Sequence, residues 1–224
     1  MNILPAEVAQ ELKDKGGADA KLIDEATMLF TDFMGVTSIS EKLTAKELVE
    51  ELNVCFKAFD HIITARGIEK IKTIGDAYMC AGGLSDPKSS GPAEVVLAAL
   101  EMQAFTRQRM TERSAMRMPA FEMRVGIHTG PVVAGIVGVK KFRYDIWGDT
   151  VNIASRMGTS GEVGQVNISG TTYALVKDAG NSLQLSVPST AVRWLTTPDR
   201  HWKDPHVHLT REDPGEGGDG DVVR

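Results

Sequence analysis

The chain has 224 residues, 42% hydrophobic and 25% charged, with a formal net charge of −5. That length and balance fit one soluble globular domain of ordinary size, or one domain plus appendages, and argue against a duplex nucleic-acid binder working by bulk electrostatics. No apolar run approaches the roughly 20 residues that span a bilayer, no signal-peptide core opens the chain, and Cys55 and Cys80 are too few for a disulfide framework. The expectation is a reduced, cytoplasmic protein.

In chain order, residues 1–24 read as a lead-in, with a short helix opened by Pro5 and ended at Gly16 and Gly17. Residues 26–31 (ATMLFT) are apolar at nearly every position, as in a strand covered on both faces, and run into Asp32. Thr44 and Glu47 have capping-box spacing. Behind them Leu48, Leu52, Cys55, Phe56, Phe59 and Ile63 form one apolar stripe, stopped at Gly67. Residues 69–74 and 77–81 predict a hairpin about a Gly75–Asp76 turn. A second long helix starts near Pro92 with Val96, Leu100 and Ala104 inward. Residues 123–128 alternate as a strand should, 142–147 read as another, a helix covers 149–157, a weak strand 165–168, and a helix 171–177. From Asn181 the periodicity fades into a Gly/Asp/Glu-rich end. The element order predicts an α+β fold, a mixed sheet with helices on one face, in three stretches: 1–24, 25–180 and an atypical tail, 181–224.

Several residues carry candidate chemistry. If the strands bearing Asp32 and Asp76 are neighbours, two carboxylates share one sheet edge and call for a hard divalent cation such as Mg²⁺ or Mn²⁺. Taken singly, each also reads as an ordinary strand-end or turn residue. Gly35, Thr37 and Ser38 make a small-residue turn before a helix, able to offer N–H groups to phosphate. Asn152 and Arg156, four apart, share a helix face that could present an amide to a hydroxyl and a guanidinium to a phosphate. Lys72 and Asp145 are either a surface ion pair or, in a pocket, a donor and acceptor for a purine edge. His201, His206 and His208 lie in the tail without a completing Cys, and His61 and His128 have no nucleophile or acid at diagnostic spacing.

Together, residues 29–37 (LFTDFMGVT), 70–79 (KIKTIGDAYM), 124–132 (RVGIHTGPV) and 144–157 (YDIWGDTVNIASRM) resemble the class III nucleotidyl cyclase catalytic domain. The resemblance implies a ferredoxin-like fold and head-to-tail pairing of two domains. It implies that Asp32 and Asp76, with the backbone carbonyl of Phe33, hold two divalent metals (Mg²⁺ or Mn²⁺) per site. Arg156 would stabilise charge on the α-phosphate and Asn152 would orient the ribose. Lys72 and Asp145 would select the base, and this pair fits adenine, so ATP is the expected substrate and 3′,5′-cyclic AMP the product. Gly35, Thr37 and Lys140 would meet the phosphates. Because one chain carries every motif once, catalysis implies a homodimer with two composite sites. Residues 1–24 could be the end of a linker from an upstream sensor domain. The sequence departs from the family at Val36, where Phe is usual, and from Asn181, where no Lys-Gly segment for the triphosphate is found. That second departure leaves the alternative of a catalytically impaired module that binds nucleotide and dimerises.

Overall fold

The structure, a computed structural model, describes residues 6–15, 19–40, 42–85, 90–137, 143–177 and 192–195. The elements in order are α1 (Ala6–Lys15), β1 (Lys21–Met34), α2 (Val36–Ser40), α3 (Ala45–Ala65), β2 (Glu69–Ile74), β3 (Ala77–Gly82), α4 (Pro92–Ala115), β4 (Glu122–Val137), β5 (Arg143–Trp147), α5 (Asp149–Thr159), β6 (Val166–Ser169), α6 (Gly170–Val176) and β7 (Val192–Leu195). Among the described residues seven strands form one mixed sheet in the order β2-β3-β1-β4-β6-β7, with β5 paired to β4 off that path.

β1 is longer than its apolar stretch predicts. It starts at Lys21 rather than 26 and runs past Asp32 to Met34, because β4 pairs with it antiparallel along almost its whole length, from Lys21↔Ala134 to Met34↔Glu122. A bulge between Ile23 and Ala26 absorbs the one irregularity. β7 pairs parallel with β6 at residues the sequence pattern leaves without periodic structure.

The alternation of β1 divides the core in two. Leu29 and Phe33 belong to a large cluster that holds Cys55, Phe59 and Ile63 of α3 and Val95, Ala99 and Met102 of α4. Met28 and Phe30 point the other way, into a smaller cluster with Met79, Ala81, Val132, Ile146 and Ala154 of α5. The expected mixed α+β sheet is therefore present, but its helices are not all on one face: α3 and α4 cover one side and α5 the other. Glycine explains the position of α5. A Cβ on Gly126 of β4 would lie 2.0 Å from the Gly158 nitrogen and 2.4 Å from the Ala154 carbonyl oxygen, so only a bare α-carbon lets the helix backbone rest on the strand.

α3 begins as its sequence signals. Thr44 Oγ1 accepts from the Glu47 N–H at 3.3 Å while the Glu47 carboxylate accepts from the Thr44 N–H at 2.8 Å, so two otherwise orphaned donors are satisfied. In α4 the expected inward set shifts: Val95, Ala99, Met102 and Thr106 face the core beside Val96 and Leu100, while Ala104 is exposed. Between α3 and α4 the buried Glu51 carboxylate accepts from Arg109 Nε at 2.9 Å and Arg113 Nη1 at 2.7 Å, which leaves that buried acid paired rather than stranded.

Candidate functional site

The antiparallel β1–β3 register ends at Thr31↔Tyr78, which carries Asp32 alongside the turn holding Gly75 and Asp76. Of the two carboxylates expected to share a sheet edge, Asp32 thus lies on β1 and Asp76 in the turn that enters its neighbour β3, at the same end of the sheet. Asp32 has the same strand parity as Met28 and Phe30, so it sits on the α5 side of the sheet. Phe33 points opposite, its ring 5.2 Å from that of Phe121 and 6.3 Å from Phe59, so only its main chain is available at this edge. Asp32 and Asp76 are both half-buried.

Arg124 is the residue that the sequence reading missed. It stands opposite Asp32 in the β1–β4 register, and its Nη2 donates to Asp32 Oδ2. Its Nη1 donates to the carbonyl of Thr159, at the end of α5, at 2.6 Å. Nε is buried without a partner among the described residues. A signal existed in the alternation of residues 123–128, which puts Arg124 on the face away from Met123 and Val125. What it would meet there depends on a pairing 92 residues distant in sequence.

These oxygens suit a hard divalent ion. Among the described residues no cluster of three or more His, Cys, Asp or Glu side chains gathers. A metal here would be held by the Asp32 and Asp76 carboxylates and completed by backbone carbonyl, ligand phosphate or water oxygens, the ligand type Mg²⁺ and Mn²⁺ prefer. Arg124 engages Oδ2 of Asp32, and no described hydrogen bond uses Oδ1.

Beyond this edge, Gly35 turns the chain with φ +71 into α2, a helix of five residues, and Ile39 N–H donates back to the Gly35 carbonyl at 2.8 Å. Thr37 lies in α2, its side chain outside the described residues, as is all of Lys140. On α5, Ala154 and Met157 are buried, whereas Asn152 and Arg156 are exposed and share the outer face. No described hydrogen bond or ion pair joins either of them to Asp32, Asp76, Lys72 or Asp145. Lys72 and Asp145 do meet: Nζ donates to Oδ2 at 2.5 Å. Oδ1 of the same carboxylate accepts from the Ile146 N–H at 2.9 Å.

Cys55, Cys80 and His128 are buried and structural. Burial pushes the Cys55 thiol up to about 12 and the Cys80 thiol up as well, so neither is a nucleophile near neutral pH. His128 is buried, with Nδ1 2.7 Å from Ser169 Oγ, and burial lowers its pKa. His61 is exposed on α3, and His201, His206 and His208 lie outside the described residues. Among the described residues no helix is long and apolar enough to cross a membrane.

Comparison with known proteins bears on the chain's family and fold. The family described as the adenylate and guanylate cyclase catalytic domain matches residues 18–194. Guanylyl cyclase C of Homo sapiens is 40% identical over 180 residues, which are 78% of this chain and 16% of that protein. An adenylate cyclase of Mycobacterium tuberculosis is 38% identical over 178 residues, 79% of this chain and 39% of that protein. The chain thus spans well under half the length of these curated relatives. The catalytic core of a rhodopsin-guanylyl cyclase with converted specificity, solved in complex with ATPαS, superposes with a TM-score of 0.65 at 31% identity, covering 72% of this chain and 86% of that one.

Proposed function

The chain belongs to the adenylate and guanylate cyclase catalytic domain family, and from that premise we propose that it converts ATP to 3′,5′-cyclic AMP and pyrophosphate. Relatives of both base preferences match it, so the choice of ATP rests on the chain's own residues. The observation that carries it is the meeting of Lys72 with Asp145 at 2.5 Å. An ammonium beside a carboxylate offers a donor and an acceptor at one place. Adenine presents the complementary acceptor at N1 and donor at N6; guanine presents an N1–H and O6, the reverse order, and leaves both charges mismatched.

Two divalent ions held at Asp32 and Asp76, with the Phe33 carbonyl, would supply Lewis acidity to the ribose hydroxyl and the triphosphate. The protein's part is placement. The 3′-hydroxyl would pass its proton to solvent water as its oxygen bonds to the α-phosphorus and the bond to the bridging oxygen of the departing pyrophosphate breaks. Asn152 would hold the ribose and Arg156 would meet charge developing on the α-phosphate. Gly35, Thr37 and Lys140 would line the phosphate end. Both α5 side chains face outward from the sheet that carries Asp32, which supports a homodimer in which α5 of one protomer serves the carboxylates of its partner.

Purified chain with Mn²⁺ and ATP should form cyclic AMP, with specific activity rising with protein concentration as dimers form. Arg156→Ala should remove product, and Lys72→Glu should move the preference toward GTP. A wild-type preference for GTP would overturn the base assignment. The absence of a Lys-Gly segment after Asn181 favours a second reading, a module that binds nucleotide without turnover. Calorimetric ATP binding without cyclic AMP at high protein concentration would establish it.

A further inference from the structure

Arg124 joins three elements. It stands on β4 opposite Asp32 of β1, and its Nη2 donates to Asp32 Oδ2. Its Nη1 donates at 2.6 Å to the carbonyl of Thr159, where α5 ends. The helix end is within reach because Gly126, two residues along the same face of β4, lets the α5 backbone rest on the strand. A cation is also the charge that the carbonyl end of a helix favours. The side chain is 17% exposed and Nε is buried, so the guanidinium lies largely inside the fold.

For Asp32 this contact sets direction. Among the described residues Arg124 is the one group hydrogen-bonded to its carboxylate, through Oδ2, and Oδ1 is left over. A carboxylate hanging free turns about two torsions and must be ordered by the ion it takes. One already held by a hydrogen bond has less freedom to lose, and the outer partner of a metal ligand is typically worth about 10–100-fold in metal affinity. Resting on the assignment of Asp32 to the metal ions, we propose that Arg124 is a positioning residue for the metal centre. It holds Asp32 by one oxygen, leaves the other to the ion, and fixes that carboxylate to the end of α5.

The charge of the guanidinium opposes an arriving divalent ion, whereas its shape assists. Shape prevails here, because the charge is already offset by the carboxylate and by the negative end of the helix. A lysine separates the two effects: it keeps the charge but replaces the planar fork with one compact ammonium. Since α5 carries Asn152 and Arg156, the same fork also sets where that helix ends relative to the metal edge.

Mn²⁺ titration of the whole chain, without nucleotide and with free ion counted by EPR, tests this. Arg124→Lys and Arg124→Met should each bind Mn²⁺ at least about tenfold more weakly than wild type. At saturating ATP, the Mn²⁺ concentration giving half-maximal cyclic AMP formation should rise by the same factor. A merely structural tie would lower the folded fraction and leave that concentration unchanged. Asp32→Asn tests the reading beneath: if it binds Mn²⁺ as wild type does, the metal assignment fails and takes this role with it. Loss of Mn²⁺ in Asp32→Asn, with wild-type or higher affinity in Arg124→Lys, keeps the metal assignment and overturns the positioning role. So does a raised KM for ATP with unchanged Mn²⁺ affinity, which would put the guanidinium on the nucleotide instead. Should the wild type take up no Mn²⁺ alone, the titration at saturating ATPαS decides by the same ratios. If Arg124→Met does not fold, Arg124→Lys decides alone.

Discussion

The two faces of the sheet are built to different rules. On one, α3 and α4 press Phe33, Phe56, Phe59, Phe105 and Phe121 into a continuous aromatic core, with ring centroids of neighbouring pairs 5.2–6.4 Å apart. On the other, a smaller apolar cluster lies under α5, and around it gather Asp32, Arg124, Lys72 and Asp145. One face stores stability in packing. The other keeps polar groups oriented on a platform that the first makes rigid. Substitutions should therefore separate by face.

The largest effect belongs to the polar face. Asp32→Ala should lower kcat/KM at least about a thousandfold, since several kcal/mol of transition-state stabilisation depend on that carboxylate. Its melting temperature should move little, because the side chain is half-buried and makes one described hydrogen bond. Steady-state cyclic AMP assays with thermal denaturation of the same sample check both halves. Product formation that survives the substitution would refute the role of Asp32.

Phe59→Ala is the mirror image. The ring is fully buried and touches Phe33, Phe56, Tyr78 and Phe105, so truncation should cost about 3–5 kcal/mol in urea denaturation. Below the new melting temperature the ATP:GTP preference should stay as in wild type. A changed preference in the folded variant would mean that the faces are coupled.

Gly126→Ala attacks the seam. Its methyl group would meet backbone atoms of Gly158 and Ala154, which cannot rotate away, so α5 must lift from β4. A loss of about 1–3 kcal/mol is expected, with a fall in kcat larger than stability alone explains, because Asn152 and Arg156 ride on that helix. A fall in stability with kcat intact would separate the position of α5 from the chemistry.

The sequence carried the packed face well. The capping box at Thr44 and Glu47 and the stripe through Cys55, Phe59 and Ile63 are local and periodic, and the structure reproduces them. The Gly75–Asp76 turn and the strand bearing Asp32 were legible for the same reason. What was not legible depends on register between distant strands: the Arg124 contact with Asp32, the reach of β1 back to Lys21, and the lodging of α5 on the far side of β4. Lys72 and Asp145 could be named as a pair from the resemblance, but their contact joins two strands that do not pair with each other, which no spacing encodes.

One polar chain joins the two faces, and it sets the smallest expected effect. Thr27 Oγ1 and Thr129 Oγ1 are 3.0 Å apart, Thr129 and Thr172 3.0 Å, Thr172 and Ser169 3.1 Å, and Ser169 Oγ lies 2.7 Å from His128 Nδ1. The threonines of β1 and β4 share the strand parity of Leu29 and Ile127, on the α3 and α4 side, while His128 alternates onto the α5 side. Burial lowers the His128 pKa below its ordinary 6.5, opposed in part by the Asp149 carboxylate. The unfolded chain therefore binds more protons there than the folded one as pH falls below about 6.5, and stability must fall with it. One such group cannot contribute more than about 1.4 kcal/mol per pH unit. Urea midpoints between about pH 7.5 and about pH 5.5 should thus slope downward in wild type. In His128→Gln, which keeps a polar group beside Ser169 but cannot titrate, the slope should be shallower by that one proton. Parallel slopes would place the acid sensitivity in other groups and leave the hydroxyl chain a purely structural tie.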